Sequence, residues 1–176
     1  REAHARMGAL IERPAFFDGL DGTRNLHRLA RAQGIGARAA RVEVARVLEL
    51  VGLTEAGRKA VGNYSQGMRQ RLGIAQALLG SPRDLLLDEP ANGLDPEGMA
   101  EMRALVRRLA HDEGHGVMLS SHLLNEVAEV CDRIAVMKQG RLLMEGPAEV
   151  EGTLRVSTMP LGVTMRMANI MSAMSP

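Results

Sequence analysis

The sequence predicts an α/β fold with a mostly parallel sheet, and three observations carry that expectation. Short apolar runs of strand length, Asp84 to Leu87 and Gly116 to Ser121, alternate with amphipathic segments of helix length. Asp95-Pro96 pairs a capping residue with a proline preset for the first helical turn, so a helix starts there, directly after the first of these strands. Finally, 45% of the 176 residues are hydrophobic and 24% charged, a composition that forms a core.

Taken in order, Met7 to Ile11 is a short apolar run that reads as the end of a strand. Pro14 to Gly22 is a loop punctuated by Pro and Gly around Phe16 and Phe17. Thr23 is expected to cap a helix to about Gln33, with Leu26, Leu29 and Ala30 on one face, and Gly34 and Gly36 end it. A second helix, Ala39 to Leu50, carries the stripe Val44, Val47, Leu48 and Val51. Ser65 opens a third, to about Leu79, with Leu72, Ala75, Leu78 and Leu79 inward. In the helix after Asp95-Pro96, Met99, Met102, Val106 and Leu109 recur to an end near Ala110. A helix is expected from His122 to Cys131, then a hairpin from Arg133–Met137 and Arg141–Met144 around Gln139-Gly140. From Thr153 onward the chain is Met-rich without a period, and residues 153–176 are expected to be a poorly ordered tail.

Composition excludes several function classes. The 22 basic and 21 acidic residues nearly cancel, so neither a basic nucleic-acid arm nor an acidic tail dominates. Tyr64, Phe16 and Phe17 are the only aromatics, too few for a base-stacking platform. The lone cysteine, Cys131, rules out an intrachain disulfide framework and a Cys-rich zinc site. No apolar stretch approaches the ~18 residues that would span a membrane.

Three local patterns carry chemistry. Asp84-Leu85-Leu86-Leu87-Asp88-Glu89-Pro90 is an apolar strand ending in two carboxylates, which puts charge at the carboxyl edge of a parallel sheet, where ligands of open α/β sheets bind. One carboxylate there can hold a hydrated Mg²⁺ while its neighbour addresses a water; a strand ending in a solvated turn has the same pattern. Tyr64-Ser65-Gln66-Gly67-Met68 places Ser and Gly at a helix start, where backbone N–H groups and the helix dipole favour an anion, although Ser65 is equally a plain N-cap. Ser120-Ser121-His122 ends a strand with a histidine that either donates to a phosphate or merely caps and solvates.

The order and spacing of these patterns decide between the readings. The chain resembles the nucleotide-binding domain of ABC ATPases, particularly antibiotic- and multidrug-export members. The signature stands as Tyr64 to Met68, with Gln70 to Leu78 similar to the signature helix. The Walker B strand stands as Leu85 to Glu89, the D-loop as Asn92-Gly93-Leu94-Asp95 and the switch histidine as His122. Gly8 to Phe17 resembles the Q-loop region, with Glu12 where the family commonly has Gln; the signature departs in having Gln66 and Met68 where Gly and Gln are usual.

This resemblance, over about Gly8 to Gly146, implies a partial P-loop NTPase-like ABC ATPase domain over residues 1–152. Within it a helical subdomain would cover about 23–80 and a Walker B to switch-histidine core about 81–146. It implies ATP and Mg²⁺ as ligands, with Asp88 assisting the metal and Glu89 as the general base that polarises the attacking water. His122 would contact the γ-phosphate. Ser65 and Gly67, with Gln66 and Met68 beside them, would meet a nucleotide held by the opposite protomer. Asp95 would couple the two sites, and Glu12 would approach the metal or water. The implied partners are a second nucleotide-binding domain, identical or not, and a transmembrane permease subunit, at the cytoplasmic face of the cell membrane, with no nucleic acid.

A P-loop needs glycines before a Lys-Ser or Lys-Thr pair. The only lysines are Lys59, followed by Ala60, and Lys138, followed by Gln139, and neither fits. The family places that loop before the Q-loop, so the expectation is an N-terminally truncated chain, not competent alone. The alternatives are a soluble ABC ATPase acting on DNA or ribosomes, and a non-catalytic remnant lending only a signature face. The sequence shows neither the coiled-coil heptads of DNA-repair relatives nor a second set of motifs. Two further patterns are set aside: Gly34 to Ala39 matches a dinucleotide fingerprint but follows a helix, and His111 to His115 has zinc-helix spacing broken by Gly114.

Overall fold

The computed structural model describes residues 7–11, 14–123, 129–139, 141–148 and 163–166. In chain order these form β1 (Met7–Leu10), α1 (Gly22–Ala32), α2 (Ala37–Leu50), α3 (Gln66–Ala77), β2 (Asp84–Leu87), α4 (Pro96–His111), β3 (Gly116–Ser121), β4 (Arg133–Lys138), β5 (Arg141–Pro147) and β6 (Val163–Arg166). Two short 3₁₀ turns, Ala56–Arg58 and Val61–Asn63, lie between α2 and α3.

The strands make one sheet in the order β1-β2-β3-β6-β4-β5. β1, β2 and β3 are parallel, with Met7 opposite Asp84 and Asp84 opposite Gly116. Three parallel strands in this register end together, so the residues after Leu10, Leu87 and Leu119 share one edge. The Asp88 amide still donates to the Leu10 carbonyl at 2.8 Å, carrying the ladder one step beyond β2. β6 is antiparallel to both β3 and β4, and β4–β5 is the expected hairpin, with a register shift at Val136/Met137. The α/β fold is therefore as expected, but the sheet is mixed: its two parallel pairings lie on the side of the two carboxylates and its other three pairings are antiparallel.

The core follows from the apolar stripes. Leu26 and Ala30 of α1, Val44 and Val47 of α2, Leu72 and Ile74 of α3, and Leu109 of α4 are buried with Leu85, Leu87 and Val117 of the sheet. The α3–β1 contact is set by two close approaches. A Cβ on Gly8 would fall 1.9 Å from the Ala77 carbonyl oxygen, and one on Gly73 2.8 Å from Leu10 Cδ1. Only glycine lets the helix lie this near the strand.

Several local expectations shift. Asp21, not Thr23, caps α1, accepting from the Arg24 amide at 2.7 Å; the Thr23 hydroxyl instead donates to the Gly57 carbonyl. α2 starts two residues earlier than Ala39, at Ala37. Asn25, buried on α1, ties down the preceding loop: it accepts from the Phe17 amide at 2.9 Å and donates to the Phe17, Leu20 and Asp21 carbonyls. Half of the helix expected at 122–131 falls on 124–128, outside the described residues; the other half, His122, Leu123 and Glu129 to Cys131, is not helical. Within the expected tail, Val163–Arg166 forms β6, and the rest of 153–176 lies outside the described residues.

Glu43 of α2 joins the helical layer to the connection between α3 and β2. Its carboxylate accepts from Arg46 at 2.7 Å, from the Gly80 amide at 3.1 Å and from the Ser81 hydroxyl at 3.3 Å. Hydrogen bonding to Arg46 is the main cause that holds its carboxyl below the usual 4.5, against the opposing effect of burial. A lowered folded-state pKa stabilises the fold above the unfolded pKa, and that contribution fades as pH falls through the folded value. Glu43→Gln is therefore expected to destabilise the chain by about 1–2 kcal/mol at pH 7. Urea melts across pH are expected to show the gap closing as the solution is acidified below 4.5.

Candidate active site

The shared carboxyl edge of β1, β2 and β3 assembles the acidic residues. Asp88 and Glu89 follow β2, and Glu89 turns the chain with φ +46°. Next to them, Ser120 of β3 ties both together: its hydroxyl donates to Asp88 Oδ1 and accepts from the Glu89 amide at 2.9 Å. One step on, His122 Nδ1 lies 2.8 Å from Glu89 Oε2. An ionised carboxylate only accepts, so Nδ1 carries the hydrogen and Nε2 is left for another partner. The Glu89 side chain is about one third exposed and that of His122 about one half.

Asp88 thus presents a carboxylate with one oxygen engaged by Ser120 and the other without a hydrogen bond among the described residues. One carboxylate is the donor that a Mg²⁺ shared with substrate phosphates requires. Among the described residues there is no cluster of three or more His, Cys, Asp or Glu that would cage a metal by itself. Cys131 takes no part in such chemistry: burial, aided by the charge of Asp132, pushes its thiol up to about 12.

The signature residues lie on the other side of a partition. Ser65 caps α3, its hydroxyl accepting from the Met68 amide at 3.2 Å. Gln66 reaches across and donates to the Asn92 carbonyl at 3.0 Å. Gly93 (φ +73°) packs so closely beneath that a Cβ there would come within 2.5 Å of Gln66 Nε2. Asp95 is the α4 N-cap, accepting from the Gly98 amide at 2.9 Å. Met68 is half-buried against the core.

Two clefts share the Gln66–Gly93 wall. One, of about 590 Å³, is lined by Asp88 and Glu89 together with Tyr64, Arg69 and Gln70. The other, of about 500 Å³, is lined by Ser65, Gly67, Asp95 and Arg71. Asp88 and Glu89 therefore open into the first space and Ser65 and Gly67 into the second, with Gln66 lining both. Of the residues singled out from sequence, Asp88, Glu89 and His122 come together, and Ser65, Gly67 and Asp95 form a second group. Glu12 lies outside the described residues.

Ser120 and Asn92 were missed as members of the site. Ser120 had a signal, being two residues before His122 at a strand end, but nothing in the sequence reveals which neighbouring strand it faces. Ser120→Ala leaves the Glu89 amide and Asp88 without their shared partner. It is expected to lower stability by about 1–2 kcal/mol in urea unfolding. An unchanged midpoint would mean that water replaces the hydroxyl fully.

Comparison with known proteins bears on this geometry. The family pattern described as "ABC transporter" matches residues 1–92. A bacitracin transport ATP-binding protein, BcrA of Enterococcus faecalis, is 44% identical over 142 residues, covering 81% of this chain and 45% of that protein. A daunorubicin resistance ATP-binding protein, DrrA3 of Streptomyces coeruleorubidus, is 42% identical over 152 residues, covering 85% and 48%. The chain thus spans just under half the length of these relatives. Among solved structures, cbiO1 from Clostridium perfringens, part of the transporter complex cbiONQ, superposes with a TM-score of 0.76 at 26% identity, covering 84% of this chain and 59% of that one.

Proposed function

The chain belongs to the ABC transporter family, and on that premise we propose that it is part of the ATP-hydrolysing subunit of an exporter, working in pairs at the cytoplasmic face of a membrane. The observation that carries this reading is the partition at Gln66–Gly93. Catalytic carboxylates on one side and a phosphate-binding helix start on the other suit a site completed between two subunits, not within one.

In this reading ATP lies between the Asp88–Glu89–His122 face of one subunit and the α3 N-terminus of the other. Glu89 accepts a hydrogen bond from the attacking water and takes its proton as the water oxygen bonds to the γ-phosphorus. The bond from that phosphorus to the ADP oxygen breaks, and ADP and inorganic phosphate leave. His122, held by Glu89 through Nδ1, turns Nε2 toward the γ-phosphate. Asp88 would hold Mg²⁺, which would supply positive charge against the phosphates of the nucleotide. Ser120 keeps Asp88 and Glu89 apart and aimed. Ser65 and Gly67 supply the start of α3, whose exposed N–H groups and dipole favour the γ-phosphate of the partner's nucleotide. Gln66 and Met68 hold that helix start in place, and Asp95 fixes the loop between the two faces.

The glycine-rich loop and lysine that grip the β- and γ-phosphates have no counterpart in these 176 residues and are proposed to come from outside them. A permease subunit is the proposed partner in the membrane, and the relatives named for bacitracin transport and daunorubicin resistance favour export of an antibiotic-like cargo.

Two measurements test the reading. By calorimetry, the 176-residue chain alone is expected to bind MgATP far more weakly than a Kd of ~1 μM, which corresponds to about −8 kcal/mol. In a P-loop-bearing form, Glu89→Gln is expected to keep ATP binding and lower turnover by about 10²–10⁴-fold, because the amide fits but is no base. Wild-type turnover in that variant sinks the assignment of Glu89.

A further inference from the structure

We propose that the outer face of the α1–α2 hairpin is a docking surface for anionic lipid headgroups. The inference rests on the reading that the chain works against a membrane, and it assigns a surface that ATP chemistry does not use.

Charge is unevenly distributed along this chain. Residues 22–42 hold five arginines, at 24, 28, 31, 38 and 41, and no Asp or Glu. Since the whole chain carries a formal charge of +1, the remaining residues sum to −4. All five arginines are exposed. On α1 they recur at spacings of four and three, which gathers Arg24, Arg28 and Arg31 on one face, opposite the buried Gly22, Leu26 and Ala30. Arg31 ends α1 and Arg38 and Arg41 begin α2, so three of them bracket the tip of the hairpin.

The carboxylates that flank this stretch are occupied elsewhere. Asp18 pairs with Arg69 at 2.7 Å. Asp21 caps α1 and meets Arg24. Glu43 is taken by Arg46, Gly80 and Ser81. Arg31, Arg38 and Arg41 consequently have no carboxylate partner among the described residues. Helices on a protein surface ordinarily interleave opposite charges at three- and four-residue spacings; this hairpin forgoes that compensation over 21 residues.

Two apolar groups lie with the arginines. Phe17 is 61% exposed under the Arg28 guanidinium, 4.9 Å from ring centroid to Cζ, and Val42 is 70% exposed on α2. An arginine-rich face with exposed apolar groups matches a surface of negative headgroups over hydrocarbon better than it matches a polyanion in water. Nucleic acid is disfavoured because the patch offers a single ring for stacking. Each basic residue near an anionic bilayer strengthens binding by about fivefold, and salt screens the effect.

The test is sedimentation of the 176-residue chain with vesicles of 30% phosphatidylglycerol in phosphatidylcholine, or of phosphatidylcholine alone, in ~0.05 and ~0.5 M salt. Binding is expected to the anionic vesicles at low salt only. The variant R31Q/R38Q/R41Q is expected to weaken it on the order of 100-fold. R58Q/R83Q/R108Q removes the same charge from exposed positions elsewhere and is expected to bind within about threefold of the parent. Circular dichroism on each variant checks that the helices persist.

Equal loss in both variants would overturn the proposal, since net charge alone would then explain binding. Equal binding to neutral vesicles would overturn it too. So would absence of vesicle binding together with capture of a polyglutamate peptide, which would assign the face to an acidic protein. Lipid binding needs no nucleotide, so a negative result here leaves ATP turnover through Glu89 standing, and loss of the Glu89 assignment leaves the vesicle result intact.

Discussion

The Ser120 hydroxyl is the interaction on which the rest of the candidate site depends. It stands between two neighbouring parallel strands and bonds to both residues that follow β2. Asp88 and Glu89 are adjacent like charges, and a polar group that engages one by its side chain and the other by its amide lets them take different directions. His122 then reaches Glu89 from the same strand end as Ser120. None of this geometry survives a shift in register between β2 and β3, because a one-residue slip turns every side chain to the opposite face of the sheet. The apolar runs of β2 and β3, with Leu85, Leu87 and Val117 buried, are what fix that register.

The second organising feature is the wall between the two clefts. Gln66 stands at the start of α3, Gly93 in the turn that leads to α4, and their contact joins two elements 26 residues apart through the Asn92 carbonyl. Gly93 has positive φ and no room for a Cβ, so both the backbone shape and the space call for glycine. A change at the helix start is thereby felt in the loop that follows Glu89, which, in the proposed two-subunit arrangement, would be a physical route for coupling.

Much of this was legible in the sequence where local chemistry dictates the outcome. Asp95-Pro96 marked the start of α4 because capping and proline geometry are both local. Asp84 to Leu87 and Gly116 to Ser121 were read as strands because short apolar runs bounded by polar residues have few other solutions. The α1 cap moved from Thr23 to Asp21 because Thr23 found a distant partner, the Gly57 carbonyl, which no local pattern reveals. Ser120 and the Gln66–Asn92 bond were missed for the same reason: each links segments more than 25 residues apart. The place of β6 between β3 and β4 was also not readable, since a strand inserted from the far end of the chain leaves no periodic trace in its neighbours.

The central claim is that the carboxylate face and the α3 helix start serve one nucleotide from two different subunits. The most direct measurement is a crystal structure of a P-loop-bearing form, carrying Glu89→Gln, with MgATP bound. The account predicts the γ-phosphate within hydrogen-bond reach of the partner subunit's α3 N-terminus, with the side chain at position 89 and His122 of the first subunit directed at its other side. A γ-phosphate enclosed by the α3 start and the carboxylates of a single subunit, with the Gln66–Gly93 wall opened between them, would contradict it.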